Sequence, residues 1–116
     1  MPQRPSPAHV RNVDAATALT RHRDGVPIID VRDDHEWRAG HIPDALHLPL
    51  KDLDPDNVPA EGPVLVICRS GNRSAQAARS LASAGVQAVN VLGGMTAWAA
   101  IGGPMQTDTG HVPTVA

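Results

Sequence analysis

Phenylalanine and tyrosine are absent from this chain of 116 residues, and Trp37 and Trp98 are its only aromatic residues besides the histidines. An interior with so few large rings has to be built from Val, Ile, Leu and Ala, which favours close packing of helices on a sheet. Cysteine occurs once, at Cys68, so an intrachain disulfide framework is excluded. A single thiol fits a reducing compartment, and a cytoplasmic location is expected. Long apolar runs are also missing, and nothing at the N-terminus reads as a signal peptide, so no membrane association is expected. Ten Lys and Arg face twelve Asp and Glu, a net charge of −2, which removes the basic balance that would argue for nucleic acid. The six histidines are scattered, without a His-Glu-x-x-His or Cys/His spacing, and no metal is expected. Neither a Gly-x-Ser-x-Gly elbow nor a dinucleotide fingerprint is present, and no cofactor is expected.

What the chain does contain centres on Val64-Leu65-Val66-Ile67-Cys68-Arg69-Ser70-Gly71-Asn72-Arg73-Ser74. Val64 to Ile67 is an unbroken aliphatic run, the pattern of a strand buried on both faces of a parallel sheet. From Arg73 the spacing becomes helical, with Ala75, Ala78, Leu81 and Ala82 on one face, and Gly85 followed by Val86 marks its end. Cys68 therefore stands where a buried strand ends and a loop leads into a helix N-terminus. Helix N-termini carry unpartnered N–H groups and partial positive charge. A loop curled around Cys68 can aim several N–H groups at its sulfur, with Gly71 supplying a positive φ that Asn72 also tolerates. Arg69 and Arg73 add full charges, so a lowered thiol pKa is expected. A lone cysteine after an aliphatic run is more often a small buried hydrophobe. The polar, doubly cationic loop argues against that.

Elsewhere, His9 to Val13 reads as a first strand, and Asp14 as the N-cap of a helix to Arg23 that Gly25 closes. Pro27 to Val31 reads as a second buried strand. Strand C-termini in open α/β sheets converge on one crevice, which places Asp30 and Arg32 near the cysteine loop. A helix from Asp33 to Arg38 is expected to bury Trp37. A turn at Gly40–Ala45 follows, then a short strand at 46–48 and a polar connection at 51–59 with one helical turn. Ala88 to Leu92 is the last strand, and Gly93-Gly94 turns into a helix bearing Met95, Trp98 and Ile101. This alternation predicts one α/β domain over residues 9–104, a parallel sheet with helices on both faces. Residues 1–8 are expected to be a flexible N-terminus, and 105–116 a flexible tail that adds nothing to the core.

Cys-Arg-Ser-Gly-Asn-Arg-Ser after a hydrophobic strand resembles the active-site loop of single-domain rhodaneses, a family of sulfurtransferases. Ile28-Ile29-Asp30-Val31-Arg32, Glu36 to Pro43 (Glu-Trp-Arg-Ala-Gly-His-Ile-Pro) and Leu92-Gly93-Gly94-Met95-Thr96-Ala97-Trp98 agree with the family in order. The resemblance implies a rhodanese-like fold with a five-stranded sheet. It makes Cys68 the catalytic residue and Arg69, Ser70, Gly71, Asn72 and Arg73 the substrate-binding loop, with Asp30 and Arg32 supporting it. His41 matches the family's turn histidine and is read as structural. Relatives usually carry Gly where this chain has Asp44; Asp tolerates left-handed backbone better than most residues, so the turn is expected to be kept at some cost.

The chemistry implied is transfer of sulfane sulfur from a small anionic donor such as thiosulfate, through a Cys68 persulfide, to cyanide, an external thiol or a protein acceptor. With no second cysteine, the acceptor has to come from outside. Ser70 stands where larger thiosulfate enzymes of the family carry a cation, so the natural donor stays open, as does the oligomeric state. Two alternatives accompany this reading. One is a sulfur-carrier or regulatory binding module without fast turnover. The other is a phosphatase or arsenate reductase of related fold, whose Cys-x5-Arg loop is one residue longer than the interval from Cys68 to Arg73.

Overall fold

A computed structural model describes residues 10–59 and 61–116. The expected flexible segment 1–8 and the His9 end of the first strand lie outside the described residues. Among the described residues five strands and four α-helices follow in the order β1 (Arg11–Val13), α1 (Ala15–Arg23), β2 (Ile28–Asp30), α2 (Asp34–Ala39), β3 (Leu46–His47), β4 (Pro63–Ile67), α3 (Asn72–Ser83), β5 (Gln87–Val91) and α4 (Gly94–Ala100). The strands form one parallel sheet in the order β1-β5-β4-β2-β3. The strand that precedes Cys68 is thus central, with Leu65 opposite Ile28 on one side and Val89 on the other.

Because side chains alternate across a strand, β4 feeds two cores. Val64, Val66 and Cys68 join Ile29, Ala77, Ala78 and Leu81 beneath α3. Leu65 and Ile67 join Ala18, Val89, Val91, Met95 and Trp98 beneath α1 and α4. The polar connection forms two 3-10 turns, Leu50–Asp52 and Pro55–Asn57, and Leu50, Leu53 and Val58 pack on the α3 side. Among the described residues no helix is long and apolar enough to cross a membrane.

Local signals behave as their chemistry requires. Asp14 caps α1 by accepting the Thr17 N–H at 2.8 Å. At the end of α3, Gly85 takes φ +88° while the N–H groups of Gly85 and Val86 reach the carbonyls of Ala82 and Leu81, both at 3.0 Å. Asp44 is the one non-glycine residue with positive φ among the described residues, at 67°.

Four expectations need correction. The buried face of α3 is Ser74, Ala77, Ala78 and Leu81, and Ala75 and Ala82 are only half-buried. The helix is turned so that the Ser74 hydroxyl meets buried polar partners. In α2 the buried residue is Glu36, and Trp37 is half-buried, stacked on His41 and His47 at 3.8 and 4.6 Å between ring centroids. Ile101 is 46% exposed at the C-cap of α4, not part of its buried face.

The fourth concerns residues 105–116, which dock. Gln106 and His41 exchange backbone hydrogen bonds at 3.0 and 2.8 Å, and the Thr114 N–H reaches the Ala39 carbonyl at 2.8 Å. Met105 and Val115 pack against the α1/α4 core. Two apolar residues ten apart leave no periodic signal, yet they cover core edges, and the strand-like backbone satisfies exposed peptide groups.

Gly40 is the contact point. Its φ of 165° is ordinary extended backbone, so glycine is needed there for space, not conformation. A Cβ would stand 2.7 Å from the Thr114 carbonyl oxygen and 2.9 Å from Met105 Cε. Gly40→Ala is expected to cost about 1–3 kcal/mol through overpacking. Hydrogen exchange should show the Gln106 and Thr114 amides losing protection while strand amides keep theirs. Unchanged protection at both would show that the tail is not held there.

Candidate active site

The loop begins as β4 ends. Cys68 is 1% exposed, while Arg69, Ser70 and Asn72 on its rim are exposed. Gly71 adopts φ +109° as the N-cap of α3, the conformation that curls the chain back over the sulfur. Its N–H donates to Cys68 Sγ at 3.0 Å. The amides of Ser70 and Ser74 also face the sulfur, and the Ser74 hydroxyl lies 3.3 Å from it. Burial pushes the Cys68 thiol up. The Ser74 hydroxyl and the amides of Ser74, Gly71 and Ser70 more than offset it, leaving the thiol below its ordinary value.

The carbonyls of the loop are held the other way. Met95 N–H donates to the Cys68 carbonyl at 2.8 Å, and the N–H and hydroxyl of Thr96 donate to the Arg69 carbonyl at 3.0 and 3.1 Å. The first turn of α4 thereby satisfies these oxygens and fixes two peptide planes of the loop, one of which carries the Ser70 N–H that faces the sulfur. This explains Gly94 better than turn geometry alone. A Cβ there would overlap the carbonyls of Cys68 and Arg69, and its φ is +55°.

The two arginines have separate fates. Arg73 donates to both oxygens of Glu36, at 2.6 and 2.8 Å, tying α3 to α2. The Arg73 hydrogen bonds hold the Glu36 carboxyl down at about 2, against the opposing effect of burial. The same pairing raises the Arg73 pKa. Arg73 is therefore charge-matched and is not a free cation for an anionic donor. Arg69 is exposed and gives its Nε–H to the Ala116 carbonyl at 2.8 Å, a further anchor of the docked tail.

Asp30 and Arg32 sit together, both fully buried, at the end of β2. Arg32 donates to both Asp30 oxygens at 2.8–3.1 Å and to the Gly40 carbonyl at 2.8 Å. His47 donates to the Arg32 carbonyl at 2.8 Å. These bonds lace β2 to β3 and to the turn at Gly40, and their contacts do not include Cys68. His41, 2% exposed, donates to the Trp37 carbonyl at 2.9 Å, as a structural turn residue would.

Sequence reasoning missed Glu36, Ser74 and Asn90 as site residues. Glu36 and Ser74 stood inside quoted motifs, whereas nothing in the strand pattern marked Asn90. Its side chain is 3% exposed and accepts from the Ser74 hydroxyl at 2.6 Å.

With this geometry in place, the comparisons with known proteins agree on the class. Residues 14–101 match the rhodanese-like domain, and the chain belongs to that family. It is 35% identical over 106 residues to a sulfurtransferase of Allochromatium vinosum, covering 87% of this chain and 99% of that one. An uncharacterised protein of Synechocystis is 44% identical over 87 residues, 72% of this chain; the match spans only 49% of that longer protein. Among solved structures, a rhodanese-related protein from Thermoplasma volcanium superposes with a TM-score of 0.78 at 30% identity, over 84% of this chain and 99% of its own.

The Glu36–Arg73 pair gives a pH signature. A carboxyl depressed from 4.5 to about 2 in the folded state contributes stability that is complete above the unfolded value and is lost as pH falls toward 2. That contribution is at most about 3 kcal/mol. Denaturant midpoints measured from pH 6 downward should therefore fall less steeply below about pH 4.5 in Glu36→Gln than in wild type. Parallel acid limbs would show that Glu36 titrates alike in both states.

Proposed function

We propose that this chain moves sulfane sulfur through a persulfide on Cys68. The observation that carries the proposal is the set of donors from Ser70, Gly71 and Ser74 converging on the only cysteine sulfur of the chain. The thiolate is the attacking form of a cysteine, and these donors favour it. In the first half-reaction Cys68 Sγ attacks the outer sulfur of a thiosulfate-like anion. The new S–S bond forms as the donor's own S–S bond breaks, and sulfite leaves with the bonding pair. In the second, an external thiolate or cyanide attacks the outer sulfur and the electron pair returns to Cys68. The donors that hold the thiolate serve the persulfide anion equally, so the charged sulfur is held at both stages.

Arg69 is the loop cation left to attract an anionic donor, since Arg73 is matched by Glu36. Ser70 and Asn72 complete the exposed rim. Asp30 and Arg32 support the loop indirectly, through the turn at Gly40 and the strand beside β4. The sulfurtransferase relative of similar length favours this reading. Against a phosphatase stands the commitment of Arg73 to a carboxylate, which takes from the loop the guanidinium such chemistry would aim at phosphate.

Mass spectrometry after exposure to thiosulfate tests the proposal. Wild type should gain one sulfur atom and Cys68→Ala none, with thiocyanate released on adding cyanide. A loaded sulfur that discharges only to a protein acceptor would replace the enzyme with a carrier. Phosphate-ester hydrolysis without sulfur loading would overturn the proposal.

A further inference from the structure

The Ser74 hydroxyl has one proton and three neighbours that could take it. Cys68 Sγ lies at 3.3 Å, the Gly71 carbonyl at 3.2 Å and Asn90 Oδ1 at 2.6 Å. Asn90 in turn donates from Nδ2 to Asn12 Oδ1 at 3.0 Å, across the β1–β5 register that pairs the two residues. Asn12 is exposed, so the chain of polar groups runs from the buried sulfur to solvent, at a pocket of about 490 Å³ lined by both asparagines. Packing alone does not ask for this. Position 90 faces the α3 side of the sheet two residues after Ala88, and an aliphatic side chain would fill it. A buried amide carries a desolvation cost unless its donors and acceptor are met.

An amide differs from an aliphatic or acidic side chain in offering a donor and an acceptor of nearly equal reach. When sulfur is a thiol, S–H donates to Ser74, Ser74 to Asn90 Oδ1, and Asn90 Nδ2 to Asn12. When sulfur is an anion it must receive instead. The Ser74 hydroxyl then turns to Sγ, Asn90 rotates so that Nδ2 donates to Ser74, and Asn12 rotates so that its own Nδ2 donates to Asn90. Each group keeps its bonds in both directions. The thiol proton leaves to solvent, and none passes along the asparagines.

We propose that Asn90 is a positioning residue for Cys68, acting through Ser74, and that the Asn12–Asn90–Ser74 chain reverses its donor direction between the thiol and the anionic sulfur. This rests on the sulfur-transfer reading only in taking the anion as the working state. The ionic groups around the loop and its pocket, Arg69, Arg79, Arg73 with Glu36, and the more distant Asp30–Arg32 pair, are unaltered by the substitutions that test it.

Asn90→Asp keeps the shape and offers acceptors only, so it holds the Ser74 proton away from sulfur. The rate of Cys68 alkylation by iodoacetamide, followed against pH at high salt, reads the thiol pKa. The expected result is a rise of about one unit, a roughly tenfold weaker acid. In a Ser74→Ala background the rise should shrink about threefold or more, because only the screened charge remains. An equal rise with and without the hydroxyl, or no rise, overturns the proposal. Should Asn90→Asp fail to fold, Asn12→Asp at the exposed end is expected to raise the pKa in the same Ser74-dependent way, and an unmoved profile there is equally fatal. Alkylation needs no sulfur donor, so the two readings separate. A Ser74-dependent shift in a protein that never loads sulfur upholds the relay and rejects the transferase. Normal loading with an unmoved profile does the reverse.

Discussion

Desolvation works against a charged sulfur at the end of β4, and the site depends on how that opposition is met. Residue 68 has almost no exposed surface, a condition that by itself favours the neutral thiol. Short-range donors outweigh it: the backbone N–H groups among them are fixed in place before any charge forms, and the Ser74 hydroxyl turns to join them. Gly71 supplies the bend, β4 the anchor on one side and α3 the anchor on the other. No side-chain cation needs to touch the sulfur for this balance to hold. Arg73 is occupied by Glu36, and its contribution is to fasten the start of α3 to α2.

Orientation of the loop peptides is secured from behind. Two carbonyls of the loop are bound by the first turn of α4, which approaches so closely that only glycine fits at position 94. The docked tail adds a second brace, joining Ala39, His41 and Arg69 by hydrogen bonds. The sheet, α4 and the tail therefore act on one short segment from three directions. Preorganisation of this kind lets the backbone N–H donors serve a developing charge without rearranging.

Much of this could be read from residue order. An aliphatic run followed by Cys, Gly and a helical repeat places a thiol at a strand end beneath a helix N-terminus, and the fold's alternation follows from periodicity alone. Ser74 and Asn90 are polar groups at buried positions, and hydrophobic patterns assign such residues to the surface. The register that brings Asn12, Asn90 and α3 together is a property of the assembled sheet. Pairing of Glu36 with Arg73 spans 37 positions, and no local rule links them. The docking of the tail leaves no periodic signal because Met105 and Val115 contribute by filling edges, which needs no repeat.

The central claim is that the folded loop holds the sulfur as an anion more readily than water does. Spectroscopic titration of the thiolate absorbance of Cys68, in the native protein and in the same chain unfolded by denaturant, tests it most directly. The account predicts a lower midpoint for the native protein. A native midpoint equal to or above the unfolded one would show that desolvation prevails, and would contradict it.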